Sequence, residues 1–186
     1  GSIEPVPPFT NWSMAAASIQ DAVDVAMQAG ALVLVSNGTY DAGGKVVRGV
    51  LTNRVAIDKP ITVQSVNGPE LTYIVGNGPI GDDAVRCVYV GSNATLIGFT
   101  LTNGHTTRKV WQEKGGGAFS ERSGIISNCA LMGNAAFTGG GAYGGTLRNC
   151  TLAGNTAEFD AGGASGSLLH DCVITGNHAD VGGGAC

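Results

Sequence analysis

Asn128-Cys129-Ala130-Leu131-Met132-Gly133-Asn134 returns as Asn149-Cys150-Thr151-Leu152-Ala153-Gly154-Asn155. It returns again as Asp171-Cys172-Val173-Ile174-Thr175-Gly176-Asn177. The three cysteines are 21 and 22 residues apart. A glycine phrase recurs beside them: Gly115-Gly116-Gly117-Ala118-Phe119, Gly139-Gly140-Gly141-Ala142-Tyr143, Gly162-Gly163-Ala164-Ser165 and Gly182-Gly183-Gly184-Ala185-Cys186. A fixed period of this size predicts a solenoid, in which each repeat buries its apolar face only against its neighbours.

Working outward, the repeats align in columns. Thr95 to Leu101 lies over Thr146 to Leu152, so Phe99 heads the column of Cys129, Cys150 and Cys172. Other columns read Tyr89, Phe119, Tyr143, Ser165, Cys186; Val88, Ala118, Ala142, Ala164, Ala185; Leu101, Leu131, Leu152, Ile174; and Asn134, Asn155, Asn177. Inward positions stack like on like. Corners need positive φ or close backbone approach, which Gly gives and Asn tolerates. Stacked Asn amides can hydrogen-bond along their column. Three short strands per period predict an all-β fold, a single-stranded parallel β-helix of about six coils. The crossover preference favours a right-handed helix, and the hexapeptide period of left-handed ones is absent.

Residues 1–12 read as a tag remnant and a Pro-rich lead-in, and 13–186 as one β-helix domain. Ser18 with Asp21 has the form of an N-cap, and Ile19, Ala22, Val23, Ala26 and Met27 make one apolar stripe, opposite a polar face of Gln20, Asp24 and Gln28. This predicts an amphipathic helix of about 11 residues, closed by Gly30 and covering the open strand edges of the first coil. Short strands are expected at 31–35, 46–51, 54–57, 61–64 and 71–75. The chain stops inside a glycine phrase, so the expectation is a piece of a longer β-helix that self-associates end to end through an unfinished coil.

Glycine is 31 of the 186 residues, yet 43% are hydrophobic and the glycines recur in step, which argues against disorder. A net charge of −4 without a basic cluster argues against nucleic acid. No apolar run is long enough for a membrane-spanning helix. The five cysteines are Cys87, Cys129, Cys150, Cys172 and Cys186. Cysteines one coil apart read as a buried reduced stack, with a disulfide between some pair as the alternative. No Cys/His cluster suggests zinc. The step from Phe99 to Cys129 is 30 residues, and the excess at Thr106 to Lys114 predicts an inserted loop. Insertions of this kind project from one face, often the binding face.

The Ser18 helix, "VLVSNGTYDAGG", "GFTLTNG" and the repeated Asn-Cys and Gly-Gly-Gly-Ala phrases resemble the pectin-lyase-like right-handed parallel β-helix proteins. The repeat-rich polymorphic outer-membrane-protein type is most similar. The resemblance implies a secreted or cell-surface protein and a carbohydrate partner, but it covers enzymes and adhesins alike. Gly81-Asp82-Asp83, Asn103-Gly104-His105 and Arg108-Lys109 resemble the acid pair, His and basic pair of polygalacturonases. The family's earlier Asn-Thr-Asp, the glycine after the His and its Arg-x-Lys are missing. Asp82 and Asp83 also suit a turn. Glu158, Asp160 and Asp180 lie in successive loops and are the Ca²⁺ candidates of a lyase-like reading. Lys109, Trp111 and Glu113 in the inserted loop are the ligand-binding candidates. The first expectation is therefore a non-catalytic scaffold for adhesion or glycan contact, with no required cofactor. The alternative is the N-terminal part of a polysaccharide lyase or hydrolase.

Overall fold

The computed structural model describes residues 7, 9–109 and 112–186. The chain winds through three six-stranded sheets in turn. Sheet 1 holds Leu32–Val35, Thr62–Ser65, Thr95–Ile97, Ile125–Ser127, Thr146–Arg148 and Leu168–His170. Sheet 2 holds Gly38–Tyr40, Thr72–Val75, Thr100–Thr102, Ala130–Met132, Thr151–Ala153 and Val173–Thr175. Sheet 3 holds Lys45–Val46, Thr52–Ile57, Val85–Val90, Ala118–Ser120, Ala142–Tyr143 and Ala164–Ser165. Lys45–Val46 pairs antiparallel with Thr52–Ile57, and the other strand pairings are parallel. The fold is an all-β parallel β-helix.

The columns read from the sequence are the ladders of these sheets. Leu131 pairs with Leu101 and Leu152, and Phe119 with Tyr89 and Tyr143. Leu96, Ile126 and Leu147 from sheet 1, Leu101, Leu131 and Leu152 from sheet 2, and Val88, Ala118 and Ala142 from sheet 3 are fully buried together. Alanine on sheet 3 leaves room for the larger residues opposite.

The Asn-Cys phrase is the corner between sheets 1 and 2. Gly98, Asn128, Asn149 and Asp171 all have left-handed φ, at 81°, 51°, 51° and 53°. Asn and Asp are the side chains that tolerate this conformation best. The next residue, Phe99 or a cysteine, then turns into the core. One residue takes the bend and the following one fills the space behind it. The glycine phrase does a different job. A Cβ at Gly140 would collide with the carbonyl oxygens of Thr156 and Gly162 in the next coil, so the coils can close up only if the side chain is absent.

The N-terminal helix is shorter than its apolar stripe predicts. It covers Ile19–Val25, with the Ser18 hydroxyl accepting from the Asp21 N–H at 3.1 Å. It stops at Ala26, and Gly30 instead donates its N–H to Pro60 O, drawing the chain down to the first coil. Its packing corrects a second expectation. Gln20, assigned to the polar face, is buried. Its side-chain oxygen accepts from the Ala56 N–H at 2.7 Å, and its NH₂ donates to Ala56 O at 3.3 Å. The helix thus covers the strand edge with a side chain that imitates the missing strand. Gln20→Ala leaves a buried donor and acceptor unpaired, and we expect it to cost about 1–3 kcal/mol in urea unfolding. A loss below about 0.5 kcal/mol would show that water replaces the amide there.

One further sheet has no counterpart in the sequence reading. Ala135–Thr138 pairs in parallel with Thr156–Asp160, with a register shift between Ala136 and Thr138. Isolated bridges extend it, from His105 to Ala135, Lys114 to Thr138, Thr156 to His178 and Asp160 to Val181. These strands fill the corner between sheets 2 and 3, the segment that looks merely variable between the Asn and glycine phrases. No helix among the described residues is long and apolar enough to cross a membrane.

Candidate functional site

The bulged corner sheet presents an aromatic stack to solvent. Phe137 and Phe159 lie one coil apart, 39% and 53% exposed. Their ring centroids are 5.6 Å apart and their planes differ by 9°. Val181 continues the exposed apolar line, its N–H donating to Phe159 O at 2.9 Å. Phe137 stands three residues after Asn134, and Phe159 four after Asn155. That one-residue offset is the bulge, and it hides the pairing from a gapless alignment. The available signal was an aromatic in the same short interval of two successive repeats.

The inserted loop runs directly into this ridge. The N–H groups of Phe137 and Thr138 donate to Glu113 O at 3.0 and 3.2 Å. The described parts of the loop are tied down on several sides. Gln112 Oε1 accepts from the N–H groups of Val50 and Leu51 at 2.6 and 2.8 Å. Arg86, 5% exposed, reaches underneath. Its guanidinium donates to Gly115 O, Lys114 O and Asn53 Oδ1, each at 2.8 Å, and lies 5.3 Å from the Phe119 ring centroid. Among its described contacts no carboxylate balances this buried charge, so carbonyl dipoles carry it. The loop is a strap across sheet 3. Trp111 and Val110 lie outside the described residues.

The aromatic column of sheet 3 seats the strap and its neighbours. Tyr89, Phe119 and Tyr143 stack at 5.9 and 5.6 Å. Tyr89 is buried, and its hydroxyl donates to Glu121 Oε1 at 2.8 Å. Burial and then Glu121 push that hydroxyl up to about 12. Lys114 Nζ sits 4.5 Å over the Tyr143 ring.

The remaining sequence candidates fall around the ridge. Lys109 Nζ pairs with Asp82 Oδ1 at 3.1 Å, with both side chains more than half exposed. Arg108 grips Glu158 with two donors, Nε at 3.2 Å from Oε2 and an Nη on Oε1. His105 Nδ1 donates to Asn103 O at 3.0 Å, and its ring lies where a Cβ on Gly78 would stand. The Asp83 backbone carbonyl accepts from Asn77 Nδ2 at 3.2 Å. Asp82 thus meets a cation. Of the Ca²⁺ candidates, Glu158 faces Arg108, Asp160 accepts from the Cys186 thiol at 3.0 Å, and Asp180 is exposed. Among the described residues no three His, Cys, Asp or Glu side chains converge as metal ligands. Glu113 Oε2 and Thr106 Oγ1 are buried without a hydrogen-bond partner among the described residues.

All five cysteines are free thiols. Cys129, Cys150 and Cys172 stack along one corner, with Thr151 and Val173 N–H groups donating to Cys129 O and Cys150 O. Cys87 is in a different place, on sheet 3, where its thiol donates to Thr102 O at 3.1 Å and burial pushes it up to about 12. Cys186 is exposed, but its bond to Asp160 pushes its thiol up. Thiolate is the reactive form, so a raised pKa slows labelling at neutral pH and labelling quickens as pH rises. With a maleimide at pH 7.5 we expect Cys186 to label first, Cys172 more slowly, and Cys87, Cys129 and Cys150 only after unfolding. Asp160→Ala should speed Cys186 labelling severalfold at that pH and much less at pH 10. A pH-independent ratio would mean that Asp160 acts by shielding.

Comparison with known proteins found no matching family model, no matching curated protein and no matching solved structure.

Proposed function

We propose that this chain is a non-catalytic β-helix scaffold of the pectin-lyase-like type, secreted or displayed at a cell surface, that contacts polysaccharide along its corner ridge. The exposed Phe137–Phe159 stack carries this reading. Aromatic rings bring large apolar contact area at low entropic cost. Here two of them stand one coil apart, so a polymer lying along the axis meets the same group at two successive steps. Arg108, Lys109, Asp82 and Glu158 flank the stack with exposed hydrogen-bonding groups already held in pairs.

The test is affinity electrophoresis against a panel of neutral and acidic polysaccharides. Binding should fall at least about tenfold in Phe137→Ser and Phe159→Ser, equivalent to about 1.4 kcal/mol. Neither change touches the core, so thermal unfolding should move little. The reading fails if both variants bind as well as the parent, or if no polysaccharide is retarded. Release of unsaturated uronides from pectin, with or without Ca²⁺, would favour the alternative of a fragment from a polysaccharide-degrading enzyme.

A further inference from the structure

Three free thiols, Cys129, Cys150 and Cys172, stand on successive coils at the corner between sheets 1 and 2. They are held alike. Each donates to the carbonyl two residues back, Ser127 O, Arg148 O and His170 O, at 3.2, 3.3 and 3.3 Å. Cys150 and Cys172 also lie 3.6 Å from Ile126 O and Leu147 O of the preceding coil. One side-chain conformation therefore repeats from rung to rung. The sulfurs repeat with it, at about 4.8 Å, the spacing of neighbouring strands.

That spacing separates the chemistries open to paired thiols. A disulfide draws Cβ atoms to about 3.5–4.5 Å and sulfurs to about 2 Å. Like-placed side chains one rung apart are too distant for it, in keeping with the free thiols. Two metal–thiolate bonds of about 2.3 Å laid end to end span about 4.6 Å. The gap between successive sulfurs thus matches one ion with a sulfur on either side. A structural zinc ion takes four ligands. Among the described residues no group of three His, Cys, Asp or Glu side chains converges. A tetrahedral ion would be left short here, whereas a linear one is complete with two sulfurs. Thiolate is a soft ligand and selects copper(I) among the first-row metals.

The backbone is placed for the ligand form. The Phe99 N–H donates to Cys129 Sγ at 3.4 Å. The backbone of Cys129 and of Cys150 makes the equivalent bond to the sulfur of the next coil. An N–H donated to sulfur favours thiolate, the species that binds metal. Cys129 and Cys150 are buried, and Cys172 is half-buried, which opens the column to solvent at one end.

We infer that the Cys129–Cys150–Cys172 column binds a soft, two-coordinate monovalent cation of the copper(I) type between successive sulfurs, with Cys150 common to both gaps. The first ion taken up displaces two thiol protons. This corner is not the one that carries the Phe137–Phe159 ridge, and the site stands whether or not the glycan reading holds.

The probe is copper(I) itself, presented without oxygen as its bicinchoninate complex. The protein is the full chain carrying Cys186→Ser, which removes the exposed thiol. We expect it to withdraw at least one ion per chain from the chelator, with X-ray absorption showing two sulfur neighbours. Cys129→Ala and Cys172→Ala each keep one gap intact and should still bind. Cys150→Ala keeps as many thiols, but its two remaining column sulfurs stand two rungs, about 9.6 Å, apart. It should bind at least tenfold more weakly with an unchanged circular dichroism spectrum. If Cys150→Ala does not fold, the double variant Cys129→Ala/Cys172→Ala takes its place, since Cys150 alone should also lose the ion. The proposal is overturned if the parent withdraws no copper, or if nitrogen, oxygen or a third sulfur completes the coordination. It is equally overturned if Cys150→Ala or the double variant binds as tightly as Cys129→Ala, or if all three single variants lose the ion alike.

Discussion

Asn155→Ala should be among the most damaging single substitutions in this protein, with an expected loss of about 3–5 kcal/mol in urea unfolding. Asn155 is fully buried. Its Oδ1 accepts from both the N–H and the Nδ2 of Asn134, each at 3.0 Å. Its Nδ2 donates to Leu131 O at 2.8 Å and to Asn177 Oδ1 at 2.9 Å. Alanine leaves an N–H, an amide NH₂ and two acceptors with reduced partnership in a buried column. Each buried unpaired group costs about 1–3 kcal/mol. Asn155→Asp is the informative companion. It keeps the acceptor for Asn134 but sets a second oxygen against Leu131 O and Asn177 Oδ1. If the ladder works through donor direction, the aspartate variant should be at least as unstable as the alanine one at pH 7 and should partly recover on protonation at low pH. A loss below about 1 kcal/mol in both would show that the amides are solvated by entering water.

Arg86→Ala should release the strap. Its removal strips donors from Gly115 O, Lys114 O and Asn53 Oδ1 and takes the cation away from the Phe119 ring. The stability loss should reach about 3 kcal/mol, because several buried acceptors lose partners together. The sharper readout is local. Arg108 and Lys109 in the strap are tryptic sites, and their cleavage should accelerate at least tenfold while the β-sheet circular dichroism signal persists. Arg86→Lys should recover only part of the protection, since an ammonium cannot present the planar fork that reaches three acceptors at once. Unchanged cleavage in Arg86→Ala would mean that Gln112 and the Glu113 bridge hold the strap by themselves. Breaking the exposed pair Lys109–Asp82 should matter far less, about 0–1 kcal/mol.

The two substitutions mark where the sequence was legible. The Asn ladder was visible because identical residues recur at an even interval and parallel stacking forces them into contact. The same logic exposed the corner at Asn128, the leucine columns and the narrow alanine side. Arg86 was not visible. It occurs once, and its partners come from another coil and from an insertion, so no period points to it. The Phe137–Phe159 stack was hidden by a bulge, which shifts register by one residue just where alignment relied on constant spacing. Gln20 was misplaced because helical amphipathicity assumes that polar means solvent-facing, whereas an exposed strand edge is itself a polar surface. The helix end was misjudged for a related reason. The apolar stripe continues to Met27, but Gly30 is drawn to Pro60 O and the backbone leaves the helix earlier.

The left-handed corner at Gly98, Asn128, Asn149 and Asp171 constrains how this molecule can change length. Each corner must hand one inward residue to the core and start sheet 2 in register. A deletion of a few residues within residues 125–175 would rotate every later side chain out of its ladder. Removal or duplication of one whole period, such as residues 135–155, returns each corner to its place and changes the rod by about 4.8 Å, the spacing of neighbouring strands. Growth in this regular stretch is therefore quantised: it lengthens in complete rungs, and irregular additions have to leave the winding as loops, as the strap between His105 and Gly115 does.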